Sequence, residues 1–238
     1  MEPYELRTGA TVPMTSANAA ERVSAFLQRV YGWMAIGLAI TALVAFSVAS
    51  SPALRQVILG NRILFFGLII AQLGLVFYLS GRAATLAAGT AALLFAAYSA
   101  LTGVTLSVVL LAYTGESVAA TFVVTAAMFA ALAAYGTMTS RSLAGVGQFF
   151  FMGLIGLLLA TLVGMFWQNS ALQFLISVVG VLVFTGLTAW DAQRLRQMAL
   201  VVPAGQAGSV AIAGALSLYL NFINLFLFLL RFTGGRRN

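Results

Sequence analysis

The sequence predicts an all-α integral membrane protein with seven transmembrane helices, the last of them central and surrounded by the other six. Three observations carry this reading. Hydrophobic residues make up 62% of the 238-residue chain and charged residues only 7%. Mean hydropathy is +1.03, which a soluble globular chain does not reach. The apolar residues also fall in runs of about 20, the helix length that crosses ~30 Å of hydrocarbon.

Taken in order, residues 1–29 are polar and read as a cytoplasmic tail, with neither the apolar core nor the cleavage site of a secretory leader. Within them Asn18 and Glu21 are spaced as a helix cap and its reciprocal partner. Val23, Phe26, Leu27 and Val30 then share one face, so an amphipathic helix is expected to run into the first span. The spans are expected at 30–49, 63–79, 83–113, 118–138, 143–167, 172–191 and 209–231, which makes 30–231 the transmembrane domain and 232–238 a short basic tail. At 31 residues the third is too long for an upright span and too short for two, which predicts a tilted helix or one kinked near Gly103.

Orientation follows the basic residues. All 12 are Arg. With the amino terminus inside, seven of them (Arg7, Arg22, Arg29, Arg82, Arg141, Arg194 and Arg196) are cytoplasmic, and Arg55, Arg62, Arg231, Arg236 and Arg237 face outward. The carboxy-terminal Arg cluster is the discordant element. A re-entrant segment would instead put both ends in the cytoplasm.

Composition also excludes chemistry. The chain has no His, Cys or Lys, so it lacks a Ser–His or Cys–His nucleophile pair, thiolate or imidazole metal ligation, and a retinal-type Schiff base. One Asp cannot form an intramembrane aspartyl-protease dyad. No enzymatic activity and no cofactor are expected. The net charge of +7 fits helix ends at lipid head groups, not nucleic acid.

Small residues recur every four positions at Gly156, Ala160 and Gly164 and at Ala92, Ala96 and Ala100, a spacing that lets helix backbones approach in lipid. Two polar stripes stand out as pore-lining candidates: Ser217, Asn221 and Asn224 in the last span, and Tyr98, Thr102 and Thr105 in the third. Side chains of this kind turn away from lipid, which offers them no partner. They serve either as ordinary interhelical hydrogen bonds or as the lining of a water path.

Asp191 is the only aspartate, placed where the apolar run of the sixth span gives way to Arg194 and Arg196. An ionisable group at such a place is a candidate functional site. It is either a helix-end residue paired with Arg194 one turn on, or a buried carboxylate that gains and loses a proton near physiological pH.

The strings FTGLTAWDAQ at 184–193 and LSLYLNFINLFLFLLR at 216–231, supported by YSALTGVTLS at 98–107, resemble a bacterial member of the Bax inhibitor motif family of transmembrane proteins. The likeness runs over nearly the whole chain after residue 20. It implies a bacterial inner-membrane protein acting as a pH-sensitive calcium leak, with calcium as the ion carried. A pair of aspartates joining the sixth and seventh helices serves as the sensor. Asp191 matches its first position, as gate and transient calcium ligand; the second falls on Asn221, a neutral partner that hydrogen-bonds but cannot titrate. A basic latch near the end of the second span corresponds approximately to Arg82, with Arg194 as a further charge partner. Some bacterial relatives are linked instead to a membrane-anchored AAA protease, which they restrain, so a regulatory partner is the second function class the resemblance allows.

Overall fold

The computed structural model describes residues 16–82, 85–167 and 169–237. They form eight α-helices: α1 (Ser16–Ser50), α2 (Pro52–Ile58), α3 (Arg62–Arg82), α4 (Ala88–Ala112), α5 (Gly115–Met138), α6 (Ala144–Phe166), α7 (Ser170–Val201) and α8 (Ala207–Thr233). All but α2 are long and apolar enough to span a bilayer. The tail up to residue 15, Arg7 included, lies outside the described residues, and so do residues 83–84 and Asn238.

α1 is one continuous helix of 35 residues, so the amphipathic segment runs into the first span as its apolar face requires, with Phe26 and Val30 buried. Ser16 and Ala17 are already helical, which puts Asn18 inside the helix and not at its cap. The short α2 is closed by Ser51, whose hydroxyl accepts the Leu54 N–H at 3.4 Å, and by Pro52 at its first turn. Both are residues that start helices.

The helix of the third span is shorter than the 31 residues expected. α4 is an uninterrupted helix of 25 residues, or about 37 Å, which suffices to span without bending. Gly103 serves packing: a Cβ there would lie 2.7 Å from the Thr41 carbonyl oxygen of α1. The stripe in α6 joins the seam in part. A Cβ on Gly156 would meet nothing within 4 Å, whereas one on Gly164 would lie 3.0 Å from Gln173 Nε2 of α7, and α6 also approaches α7 through Gly147 against Trp190 and through Phe150 against Gly186.

Burial rises to 56% in the most apolar stretch of α8 against 6% in α3. α8 packs on α1, α3, α4, α5 and α7, while α6 docks on α7. Residues on several sides of α8, such as Leu216, Leu218, Tyr219 and Leu225, are fully buried, and the partly buried positions Ala213, Ser217, Leu220, Asn224 and Leu227 share the remaining face.

The ends of the bundle are pinned by hydrogen bonds. Arg22 Nη2 donates to the Val202 carbonyl at 2.7 Å, and Arg196 Nη1 to the Thr137 carbonyl at 2.7 Å, which places the start of α1 beside the ends of α5 and α7. At the other end the carboxy-terminal segment pairs with the α4–α5 connection: Thr114 N–H bonds Gly235 O at 3.1 Å and Arg237 N–H bonds Ala112 O at 3.0 Å. The two ends of the described chain therefore sit at opposite ends of the bundle, leaving no need for a re-entrant segment. A reporter fused after Asn238 is expected to read as extracytoplasmic and one inserted within 197–208 as cytoplasmic; concordant readings from the two would contradict this topology.

Candidate functional site

α7 starts at a well-formed cap, with Asn169 Oδ1 accepting the Ala171 and Leu172 N–H groups at 2.8 and 3.3 Å. It continues ten residues beyond Asp191, to Val201. The carboxylate thus lies well inside the helix, about 15 Å from its end, although the apolar run stops beside it. Two contacts fix the height of this part of α7. At Gly136 of α5 the two backbones meet so closely that a Cβ would overlap the Ala189 carbonyl oxygen. Buried Gln193 accepts the Leu143 N–H and donates to the Arg141 carbonyl, both at 2.8 Å, clamping the α5–α6 connection.

Asp191 is 6% exposed. Its Oδ2 accepts two hydrogen bonds from α8, from Ser217 Oγ at 2.6 Å and Asn221 Nδ2 at 2.8 Å. Ser217 and Asn221 are one turn apart, so a single carboxylate oxygen ties α7 to one face of α8. Oδ1 lies 3.9 Å from Arg194 Nη1, a side chain that is 54% exposed and also sits over the Trp190 ring at 5.7 Å. At 3.9 Å, with the guanidinium half in solvent, this contact is longer than the two hydrogen bonds from α8, so the α8 donors hold the carboxyl and Arg194 colours its field. The carboxylate is thus buried and also beside Arg194. A cavity of about 260 Å³ opens beside it, lined among others by Ser80, Asp191, Arg194, Met198 and Ser217.

The remaining residues singled out in the sequence go elsewhere. Arg82 is exposed in the last turn of α3 and does not line this cavity, although its neighbour Ser80 does. Asn224 donates to the Leu220 carbonyl of its own helix at 2.8 Å. Tyr98, Thr102 and Thr105 belong to a second polar cluster. There Gln72 Nε2 donates to Thr102 Oγ1 at 3.0 Å, Thr105 Oγ1 donates to Gln72 Oε1 at 3.3 Å, and the Tyr98 ring meets Tyr219 edge-on at 6.0 Å. Tyr219 shares a 2.6 Å hydrogen bond with Thr41, which itself donates to the Ser99 carbonyl at 2.9 Å. Tyr219 lies two residues from Ser217 and Asn221, about 160–200° around α8. The two clusters therefore occupy opposite faces of the helix. Thr41 and Gln72 are residues that the sequence did not single out, although each is a lone polar group inside a long apolar stretch; Gln193 closes the motif at 184–193, but its clamp on the α5–α6 connection was not foreseen.

Among the described residues no three acidic, His or Cys side chains come together as a metal site. Fold and site together define a class: a polytopic helical membrane protein whose last two helices are joined by one buried carboxylate. The family model described as inhibitor of apoptosis-promoting Bax1 matches residues 23–238, and the chain belongs to this Bax inhibitor-1-like family. It is 48% identical over 215 residues to the inner membrane protein YbhL of Escherichia coli K12, covering 89% of this chain and 92% of that protein. Over 233 residues it is 40% identical to protein RP147 of Rickettsia prowazekii, covering 96% of this chain and 98% of that one. A Deinococcus radiodurans protein is 43% identical over 226 residues, with 94% and 96% coverage.

Proposed function

We propose that the protein is a cation leak of the bacterial inner membrane that lets calcium run down its gradient, gated at Asp191. The inner-membrane placement rests on the likeness to the Escherichia coli protein. The observation that carries the gating is the division of labour between the two carboxylate oxygens. Oδ2 is held by Ser217 and Asn221, while Oδ1 is directed to Arg194. A proton or a cation arriving at Oδ1 changes the charge beside the cavity without taking an acceptor from α8. Asn221 cannot titrate, so closure in this chain does not depend on a proton shared between two carboxyls. Calcium prefers six to eight oxygens, and one carboxylate does not retain it. The ion passes with help from Ser217, Ser80 and water; Tyr219 faces the opposite side of α8 and takes no part.

The test is calcium flux into proteoliposomes from about pH 5.5 to 8. Asp191→Asn is expected to flatten the pH response. Asn221→Asp is expected to steepen it, because two adjacent carboxyls titrate as a coupled pair; an unchanged profile would show that positions 191 and 221 are uncoupled. No flux above protein-free vesicles at any pH would sink the transport reading and leave restraint of a membrane-anchored AAA protease as the alternative.

A further inference from the structure

The carboxy-terminal Arg cluster, which runs against the positive-inside count, is absorbed by a second polar cavity at the far end of the bundle from Asp191. This cavity of about 490 Å³ lies between the start of α7 and the end of α8 and is lined by Ser170, Gln173, Ser177, Arg231 and Arg236, with Phe174 and Phe232. Arg231 ends α8 with its guanidinium 5.7 Å over the Phe228 ring. Arg236 is delivered by the tail, whose backbone is pinned to the α4–α5 connection by the bridge between Tyr113 and Arg236. The position of the second arginine is therefore built into the fold.

Neither arginine forms an ion pair among the described residues. Glu116, in the first turn of α5, is the described acid at this end of the bundle, and it pairs with neither. Two guanidinium groups facing one cavity repel each other until an anion joins them, and guanidinium forks match phosphate oxygens. Ser170 and Ser177 add hydroxyls. On the rim, Phe174 and Phe232 contact each other at 5.4 Å between ring centres and remain 58% and 50% exposed. Exposed aromatic rings beside arginines at a helix end are what a bilayer interface accommodates.

We propose that this cavity binds the phosphate of an anionic phospholipid, with Arg231 and Arg236 on the phosphate and Phe174 and Phe232 against the first part of the acyl chains. The site is independent of the Asp191 reading, since it lies at the opposite end of the bundle.

The test measures binding of phosphatidylglycerol, phosphatidylcholine and inorganic phosphate to the purified full chain in detergent, by native mass spectrometry. Wild type is expected to prefer phosphatidylglycerol. Arg236→Gln, in an exposed tail side chain that leaves the bundle intact, should weaken that lipid about fivefold, and the double variant Arg231→Gln/Arg236→Gln about 25-fold. The control Arg62→Gln/Arg237→Gln removes the same charge at the same end but outside the cavity, and should stay within about twofold. Equal losses in the two double variants would reduce the effect to general surface charge and overturn the site. Inorganic phosphate binding as tightly as the lipid would overturn the lipid assignment.

Discussion

Replacing Asn221 by Leu is expected to destabilise the folded bundle by about 3 kcal/mol. Asn221 is 6% exposed and donates to Asp191 Oδ2 at 2.8 Å. Leu keeps the branched outline of the side chain but offers no donor, so the carboxylate oxygen retains only Ser217 of its two α8 donors. Leaving a buried charged acceptor short of a partner costs more than the net worth of the hydrogen bond itself. Asn224→Leu is the matched comparison, because that amide only caps a carbonyl of its own helix and is half-buried; its cost should stay within about 1 kcal/mol. For a chain of this size the difference corresponds to an unfolding midpoint lower by roughly 5–10 °C for Asn221→Leu in detergent. Pairing it with Asp191→Leu should recover part of the loss, since removing both partners leaves nothing unsatisfied. Equal midpoints for the two single variants would dissociate Asn221 from any structural tie to Asp191.

Much of this architecture was legible because a bilayer imposes length and polarity rules that a sequence displays openly. The seven apolar helices, the continuity of α1 and the shared face of Ser217 and Asn221 follow from composition and a 3.6-residue period. The length of α7 beyond Asp191 did not. A hydropathy run ends where lipid contact ends, while the α7 backbone continues for ten residues on its own hydrogen bonds and on packing beside α5. The packing role of Gly103 was hidden for a related reason: glycine weakens a helix in isolation, but in a bundle it also admits a neighbour, here the α1 backbone at Thr41. In the stripe at Gly156, Ala160 and Gly164 spacing fixes a shared face, but only the structure shows that Gly164 meets α7 while Gly156 meets nothing. Tyr98, Thr102 and Thr105 were correctly grouped, but nothing in their spacing could place them across α8 from Asp191. That separation depends on Tyr219, which sits inside the same motif as Ser217 and Asn221 and points the other way.

The largest contrast is expected between two identical substitutions at two glycines. In Gly136→Ala the new methyl would fall on the Ala189 carbonyl oxygen, with the Ala189 carbonyl carbon at 2.9 Å and its Cα at 3.1 Å. These are backbone atoms of a packed helix, and no side-chain rotation relieves the overlap. The helices must separate, at a cost of about 3 kcal/mol or more. Because Asp191 follows Ala189 by two residues, the same displacement should carry the carboxylate away from Ser217 and Asn221. Gly156→Ala makes the same chemical change in α6, where a Cβ meets nothing within 4 Å. There only the gain in helix propensity remains, which stabilises by up to about 1 kcal/mol. Thermal unfolding in detergent should therefore move in opposite directions for the two variants. If Gly136→Ala unfolded at the wild-type temperature, the close approach of α5 and α7 could not be what sets the height of Asp191.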